Sequence, residues 1–566
     1  MELSSQACTV VAPSAILPLM SSSAAGVRTG TPGSPGSATG PVWTLPASVL
    51  TPVQRSGATL DEAIAALATA AAQLTEIADS RIADGAAEEG EIFSMQATMA
   101  SDPAFVAAIH DAAKGGADGV AALIAAGEAQ AALLASIPDE YLAARAADVR
   151  DVASRAARIL AGTTIPLPGR PIILVAEDLP PSVSAEIPRE HLLGIALRAG
   201  SRTAHAVILA RAAGIPCIVA ARELEVDGSL DGVQAVVDGA AGTLTLAPSS
   251  ADLAAADAVK KQGAVDATRR AALRGKPCVM ANGTRVHLYA NIGSADGAAR
   301  AVEVGAEGVG LLRSEFLLLD RETPPDEREQ LRAFTKVFEA LGADRPLSLR
   351  LADIGGDKEI PYLKLPHEAN PFLGVRGYRL AMIKDRPDLR ALFASQVAAA
   401  LRAAAATRGA LRIMAPMISV RAEVDDLLAL IKAVRAELAA RGDAAAEYPA
   451  AIGVMIEVPA AALTIAELAA GLDFVSVGTN DLTQYAMAAD RINPALVALQ
   501  DAAAPGVVAL LRAVVEGAKR AGVEVGVCGE LAGSVSGARL LTEVGIYELS
   551  MDPAAVDEVR EGLLGA

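Results

Sequence analysis

The sequence predicts a multidomain α/β chain in which a bundle of α-helices is inserted into, or placed before, a small α/β domain, and a C-terminal (β/α)8 barrel follows. Three observations carry that prediction. The first is length: 566 residues exceed the ~250 of one barrel and the ~100–200 of an ordinary domain, so two or three cores are required. The second is the segment 61–160, rich in Ala, with apolar residues such as Ile64, Leu67 and Ala71 at helical spacing. The third is a rhythm in the C-terminal half, where eight short apolar runs alternate with helical stretches.

Composition narrows the class. Hydrophobic residues make up 52% of the chain and charged ones 20%, a mixture that buries large cores and is neither disordered nor fibrous. Aromatic residues are only 3%, so the apolar content is Ala, Val and Leu, a helix-rich signature. Lys and Arg number 49 against 67 Asp and Glu, a net of -18. This balance argues against nucleic-acid binding through phosphate neutralisation and leaves room for a small anion in a local basic pocket. Cys8, Cys217, Cys278 and Cys528 are widely spaced with no CxxC pair, which predicts reduced thiols in a cytoplasmic protein instead of a disulfide framework or a zinc site. No run approaches the ~20 apolar residues of a bilayer span, so no membrane insertion is expected. The apolar stretch 9–20 carries two prolines and follows Glu2 instead of a basic segment, so it reads as an extension and not as a secretory signal.

Taken in order, residues 29–40 (TGTPGSPGSATG) read as a loop leading into a short strand at 41–45. The bundle follows, with sixteen acidic and six basic residues over 61–160, a net of -10. Such a surface is either a solvated helix face or a docking face for a basic partner. Strands are expected at 172–175, 192–197, 217–219, 235–237 and 243–246, and a charged helical linker at 251–274 with Lys260, Lys261, Arg269 and Arg270. The barrel runs fall at 286–292, 308–312, 347–351, 411–416, 452–458, 474–477, 523–527 and 547–551. The expected boundaries are 1–27 for a disordered extension, 28–50 with 163–250 for the α/β domain, 51–162 for the bundle, 251–275 for the linker and 276–566 for the barrel.

In a barrel, function sits at the carboxyl ends of the strands. There the sequence places Arg313-Ser314-Glu315, Arg350 with Asp353, Glu457, Asn480 with Asp481, and Cys528-Gly529-Glu530. Arg313, Arg350, Arg376 and Arg491 supply planar donors for a phosphate and a carboxylate on one small molecule. Glu457 and Asp481 are hard oxygen ligands of the kind that hold magnesium (Mg2+) beside a substrate phosphate. Cys528 serves either as a small buried apolar residue or, largely protonated at neutral pH with an intrinsic pKa near ~8.5, as a general acid. A second centre lies at 200–216, where Gly200 and Ser201 precede an apolar-periodic helix stopped by Gly214-Ile215-Pro216. His205 falls in its first turn, as a structural residue or as the carrier of a covalent group that faces free backbone N–H groups.

These motifs resemble a known family. The segment around His205 is similar to the phosphohistidine signature GGRTSHxxIxARxxGIP of the phosphoenolpyruvate-utilising enzymes. GVGLLRSEFLLLDR (308–321), RLADIGGDKEIPYL (350–363), NPFLGVRGYR (370–379), GVMIEVPAA (453–461), SVGTNDLTQYAMAADR (476–491) and GVCGELAG (526–533) resemble that family's phosphoenolpyruvate site. EIFSMQATMASDP (91–103) and DEYLAARAADVRDV (139–152) resemble the helical subdomain of its phosphoenolpyruvate-protein phosphotransferase branch, which docks the small carrier protein HPr. The resemblance implies that His205 is phosphorylated at Nε2, and that Arg313, Arg350, Asn480 and Arg491 bind phosphoenolpyruvate. It further implies that Glu457 and Asp481 hold Mg2+ and that Cys528 protonates the enolate to give pyruvate. HPr as acceptor, a homodimer through the barrel, and an α/β domain that swivels between barrel and carrier are also implied.

The chain departs from the pattern at Ser201 and Ala204 before the histidine, at Leu351-Ala352 after Arg350, and at Val375 where Trp is common. Those changes bear on rate more than on reaction type, because every charged catalytic position matches. A pyruvate-phosphate dikinase-like enzyme would need a nucleotide-binding domain before the histidine, where an acidic bundle stands instead. A non-catalytic paralogue would have no use for His205, Cys528 and the whole arginine set. With no fused carrier or sensor domain in the given chain, a sugar-system enzyme is favoured over a nitrogen-regulatory one.

Overall fold

An eight-stranded sheet organises the first of the two units into which the chain divides, residues 1–265 and 266–566. The structure is a computed structural model that describes residues 26–46, 49, 57–83, 87–135, 145–200, 205–318, 321, 323–356, 360–491 and 493–564. Strands β1 (Gly26–Thr29), β2 (Thr31–Ser34) and β3 (Ser37–Thr44) come first. They are joined in the sheet by β4 (Ile172–Ala176), β5 (Leu192–Leu197), β6 (Cys217–Val219), β7 (Gln234–Asp238) and β8 (Thr243–Leu246). The order is β1-β8-β7-β3-β4-β5-β6-β2, with β3 to β6 parallel and the outer pairs antiparallel. β4 reads as an unbroken apolar run because both of its faces are covered. Its alternate residues serve two cores: Ile172 and Leu174 pack with Val183 and Val207, while Ile173 and Val175 pack with Val42, Val237 and Leu244.

Between β3 and β4 the described residues hold the helices α1 (Leu60–Ala83), α2 (Ala87–Ala100), α3 (Pro103–Ala113), α4 (Gly119–Ala135) and α5 (Ala146–Ala161). Because β3 and β4 are adjacent and parallel, the bundle is an insertion into the α/β domain and not a domain placed before it. Leu67, Leu74, Phe93, Ile109, Leu123 and Val152 fill its core. The Ala-rich composition lets helices approach closely, and at Gly127 any Cβ would collide with Ala153 of α5. Asp102 caps α3 by accepting the N–H of Ala104, with Pro103 at the first helical position, where no N–H is needed.

The glycine- and proline-rich stretch 29–40 departs from its expected loop form, since it holds β2 and the start of β3. β2 is one of the two edge strands of the sheet, a position that tolerates Pro32, which lacks an N–H. The extension expected over 1–27 also ends sooner, because Gly26 and Val27 pair with Leu246 and Thr245 of β8; residues 1–25 lie outside the described residues. After β4 come α6 (Pro181–Glu186) and α7 (His205–Ala213), and α8 (Ser250–Ala271) leads out of the unit.

In the second unit, β9 (Cys278–Val279) pairs antiparallel with β10, and eight parallel strands close on themselves. These are β10 (Arg285–Ile292), β11 (Val309–Arg313), β12 (Pro346–Arg350), β13 (Ala410–Ala415), β14 (Ala450–Ile456), β15 (Phe474–Val477), β16 (Glu524–Val527) and β17 (Glu548–Met551). β10 pairs with both β11 and β17, which completes the barrel, and the eight apolar runs fall on these eight strands. The interior is packed: Leu311, Met414, Met455, Phe474 and Cys528 form a buried cluster. Below it, near the amino ends of the strands, Arg412 pairs with Glu548 at 2.8 Å and lies 4.0 Å from the centre of the Phe474 ring. Gly526 and Gly453 make room, since a Cβ at either would press on Glu548 or Phe474. Among the described residues no helix is long and apolar enough to cross a membrane.

Removing one partner of a buried ion pair leaves the other charge uncompensated. Arg412→Ala is therefore expected to lower the stability of the barrel by about 3 kcal/mol, read as a lower urea midpoint of the barrel transition, while Arg412→Ala combined with Glu548→Ala recovers part of the loss.

Candidate active site

Six side chains of alternating sign run across the carboxyl ends of the barrel strands: Glu315, Arg350, Asp353, Arg376, Asp481 and Arg491. β11 ends at Arg313 and turns through a short 3-10 helix, Glu315–Leu317, which tucks Glu315 into the barrel mouth. Glu315 accepts from Arg350 Nη2 at 2.8 Å and from the backbone N–H of Asp353 at 2.6 Å. Asp353 faces Arg350 at 3.4 Å and takes two hydrogen bonds from Arg376, at 2.8 and 3.3 Å. Arg376 reaches Asp481 with its other nitrogen at 3.0 Å, and Asp481 in turn accepts from Arg491 at 3.2 Å.

Local sequence explains how these groups arrive. The helix Thr479–Met487 starts two residues after β15, so Asn480 and Asp481 stand in its first turn. One turn on, the Tyr485 hydroxyl accepts from Arg376 and donates to the Phe372 carbonyl. The Phe372 ring lies 5.8 Å from the Arg376 guanidinium and 5.5 Å from that of Arg491, a cation–π floor for both. Gly355 and Gly356 carry φ of +89° and +68°, and a Cβ on Gly355 would press on the backbone of Arg376, so the Ile354-Gly355-Gly356 turn admits the arginine only as glycine.

Burial alone would lower the pKa of Arg350 and Arg376. The carboxylates of Glu315 and Asp353 around the first, and of Asp353 and Asp481 around the second, outweigh it, so both pKa values rise and both groups stay charged. Glu457 is the opposite case. Burial and then the negative charges of Asp481 and Asp353 push its carboxyl up to about 8, with Arg350 and Arg376 offsetting only part. One of its oxygens accepts the N–H of Met417 at 2.7 Å, a residue held at φ +62°. Two neighbouring carboxyls, one of them disfavoured as an anion, are a donor set that fits a hard divalent cation, which would relieve the crowding; Mg2+ asks for only one or two carboxylates beside waters and substrate oxygens. Cys528, 5% exposed, follows β16, and burial pushes its thiol up to about 11.

Of the residues singled out in the sequence, Arg350, Arg376, Glu457, Asp481, Arg491 and Cys528 thus come together at one rim. Arg313 stands at the end of β11 with its side chain exposed. Asn480 is nearby but turned onto Glu530, giving and taking one hydrogen bond at 3.1 and 3.0 Å. His205 belongs to the other unit, as the first residue of α7 after Gly200, whose φ is +93°. Ser201, Arg202 and Ala204, on which the departures around it turn, lie outside the described residues. Sequence reasoning did not assign roles to Glu315, Asp353 and Tyr485. The first two were visible as acids at strand ends, and Tyr485 sits four residues after Asp481, on the same helix face.

Comparison with known proteins places this rim among relatives. Residues 267–565 match the PEP-binding domain of PEP-utilising enzymes, 29–145 their N-terminal domain and 168–242 their mobile domain. The chain is 44% identical over 443 residues to a multiphosphoryl transfer protein of Xanthomonas campestris, covering 76% of this chain and 50% of that protein. It is 35% identical over 494 residues to a phosphoenolpyruvate-protein phosphotransferase of Staphylococcus carnosus, covering 86% of this chain and 84% of that one. With its Bacillus subtilis counterpart the identity is 35% over 502 residues, covering 88% and 86%. The chain therefore spans about half the length of the multiphosphoryl transfer protein and most of the length of the two phosphotransferases.

A thiol held near 11 is almost wholly protonated at neutral pH. Alkylation of Cys528 by iodoacetamide, followed by peptide mass spectrometry, is expected to be slow at pH 8 and to rise towards pH 11, whereas an exposed thiol would level off near pH ~9.

Proposed function

Since the chain belongs to the phosphoenolpyruvate-utilising enzymes, we propose that it works as a phosphoenolpyruvate-protein phosphotransferase, moving the phosphoryl group of phosphoenolpyruvate to His205 and then to the carrier protein HPr, with release of pyruvate. The observation that supports this reading most is the arginine-carboxylate chain at the barrel rim, set beside a thiol that stays protonated.

Phosphoenolpyruvate carries a phosphate and a carboxylate on a three-carbon frame. In this reading Arg313, Arg350, Arg376 and Arg491, with Asn480, bind its two anionic groups, Arg313 being the guanidinium with no carboxylate hydrogen-bonded to it among the described residues. Arg350, Arg376 and Arg491 are held by their carboxylate partners before substrate arrives, so little reorganisation of these three is needed on binding. Glu457 and Asp481 would hold Mg2+, which supplies positive charge where phosphate and enolate oxygens gather. His205 Nε2 attacks phosphorus, the bond from phosphorus to the enol oxygen breaks, and its electron pair stays on the leaving enolate. Cys528 then gives its proton to C3, producing pyruvate, and the thiolate regains a proton from solvent. At the start of α7 the phosphorylated imidazole meets the positive end of the helix.

The acidic bundle is the docking face assigned to HPr, and the barrel the surface assigned to a second copy of the chain. α8 connects the two units, and in this reading it permits His205 to visit donor and acceptor in turn. The test is incubation of the full chain with phosphoenolpyruvate radiolabelled in its phosphate. Label is expected on wild type with Mg2+, absent from His205→Ala, lost on chelation of Mg2+, and discharged by added HPr. Label on His205→Ala, or label that HPr leaves in place, would overturn the carrier residue or the acceptor respectively. Arg376→Lys, which keeps the charge and loses the paired bonds to Asp353, is expected to lower kcat/KM for phosphoenolpyruvate by about 100-fold.

A further inference from the structure

The backbone around Cys528 is held on each side. Its N–H donates to the carbonyl of Val477 at 3.0 Å, the ordinary ladder contact with β15. The next residue, Gly529, lies so close to Thr479 that any Cβ would overlap the Thr479 hydroxyl and backbone nitrogen. The Cys528 carbonyl has no strand partner, because β16 ends at Val527. It is met instead by a side chain from two strands away: Asn291 on β10 donates its amide to that carbonyl at 2.9 Å, reaching past β17.

Asn291 is itself oriented. Its Oδ1 accepts the hydroxyl of the buried Ser550 on β17 at 2.7 Å, and its amide also lies 3.4 Å from the Ser550 carbonyl. The carbonyls of Cys528 and Ser550 can only accept, so they require the amide nitrogen on their side and leave Oδ1 to take the Ser550 hydroxyl, which donates to it. Gly310 on β11 makes room for this arrangement, since a Cβ there would collide with the Ser550 side chain. A buried carbonyl and a buried hydroxyl are thus both satisfied by one amide that a simple apolar strand would not require.

From this geometry we infer that Asn291, oriented by Ser550, is a positioning residue for Cys528, holding the thiol over one face of the planar enolate so that protonation at C3 is stereospecific. The inference rests on the proposed role of Cys528 as proton donor. In the step concerned the sulfur–hydrogen bond breaks, a carbon–hydrogen bond forms at C3, and the electron pair of the enolate double bond makes the new bond as the carbonyl of pyruvate forms. No oxidant or further reactant takes part. A shift of the Cys528 peptide of about 1 Å is enough to spoil such an alignment, by up to ~100-fold in the rate of the aligned step. Solvent then competes from both faces.

The test uses the full chain with phosphoenolpyruvate carrying deuterium at one C3 position, reacted in tritiated water with Mg2+ and HPr. The configuration of the chiral methyl group in pyruvate is read alongside phosphoryl label on the enzyme. Wild type is expected to give one configuration and Cys528→Ala a near-equal mixture. Asn291→Ala is expected to give a mixture like that of Cys528→Ala while still acquiring phosphoryl label, and Ser550→Ala, a smaller change that keeps the assignment testable should Asn291→Ala fail to fold, an intermediate excess. A single configuration from Asn291→Ala or Ser550→Ala, with a mixture from Cys528→Ala, would overturn the positioning role alone. A single configuration from Cys528→Ala would overturn Cys528 as donor, and the inference with it. Absence of label from wild type would instead remove the phosphotransferase reading.

Discussion

Everything at the barrel rim depends on the salt-bridge chain that begins at Glu315 and ends at Arg491. Buried guanidinium groups are tolerable only when their charge is answered, and here each of the inner two arginines lies between two carboxylates. The chain also ties together segments far apart in sequence: the ends of β11 and β12, the loop carrying Arg376, and the helix after β15. A (β/α)8 barrel gives those segments a common rim, and the ion pairs decide how they face one another. Of the four carboxyl groups beside Arg313, Arg350, Arg376 and Arg491, Glu315, Asp353 and Asp481 pair with guanidinium groups, while Glu457, pushed up to about 8, is mostly protonated at neutral pH, so the rim keeps a small excess of positive charge. An anion would meet both that excess and donors whose directions the paired acids behind them set.

Much of this was legible in the sequence, because strands that alternate with helices repeat a pattern that burial enforces. The eight barrel strands announce themselves as apolar runs, and the charged residues that follow them are conspicuous by contrast. Less legible were features set by tertiary position. β2 has the composition of a turn, and its place at a sheet edge suits Pro32 to a ladder. Whether the bundle was inserted or placed before the α/β domain depended on the pairing of β3 with β4, which no local pattern records. At the site, Glu315 and Asp353 were visible as acids, but their work is defined by arginines 35 and 23 residues away in the chain. Asn291 is the clearest case: within an apolar strand it gives no signal, and its contacts appear only when β17 lies beside it and the end of β16 one strand further on.

The two ends of the molecule's chemistry are built on different principles. The barrel rim is rigid, with glycines at Gly355 and Gly529 that admit no side chain and a backbone at Met417 held in the left-handed region. His205 instead opens a nine-residue helix, so a group attached there would meet the positive end of the helix.

Within the second unit, the segment that enters the barrel is fastened to the segment that ends it. Arg270 pairs with Glu561 at 2.8 Å and Arg274 with Asp557 at 2.7 Å, both acids on the final helix Pro553–Leu564. Arg560 of the same helix is buried and bonds to the carbonyls of Val304 and Gly305. Mechanically, the barrel is a ring with a clasp. The two ends of the ring are thus held to each other twice, by the pairing of β10 with β17 and by the ion pairs that join the entering segment to the last helix.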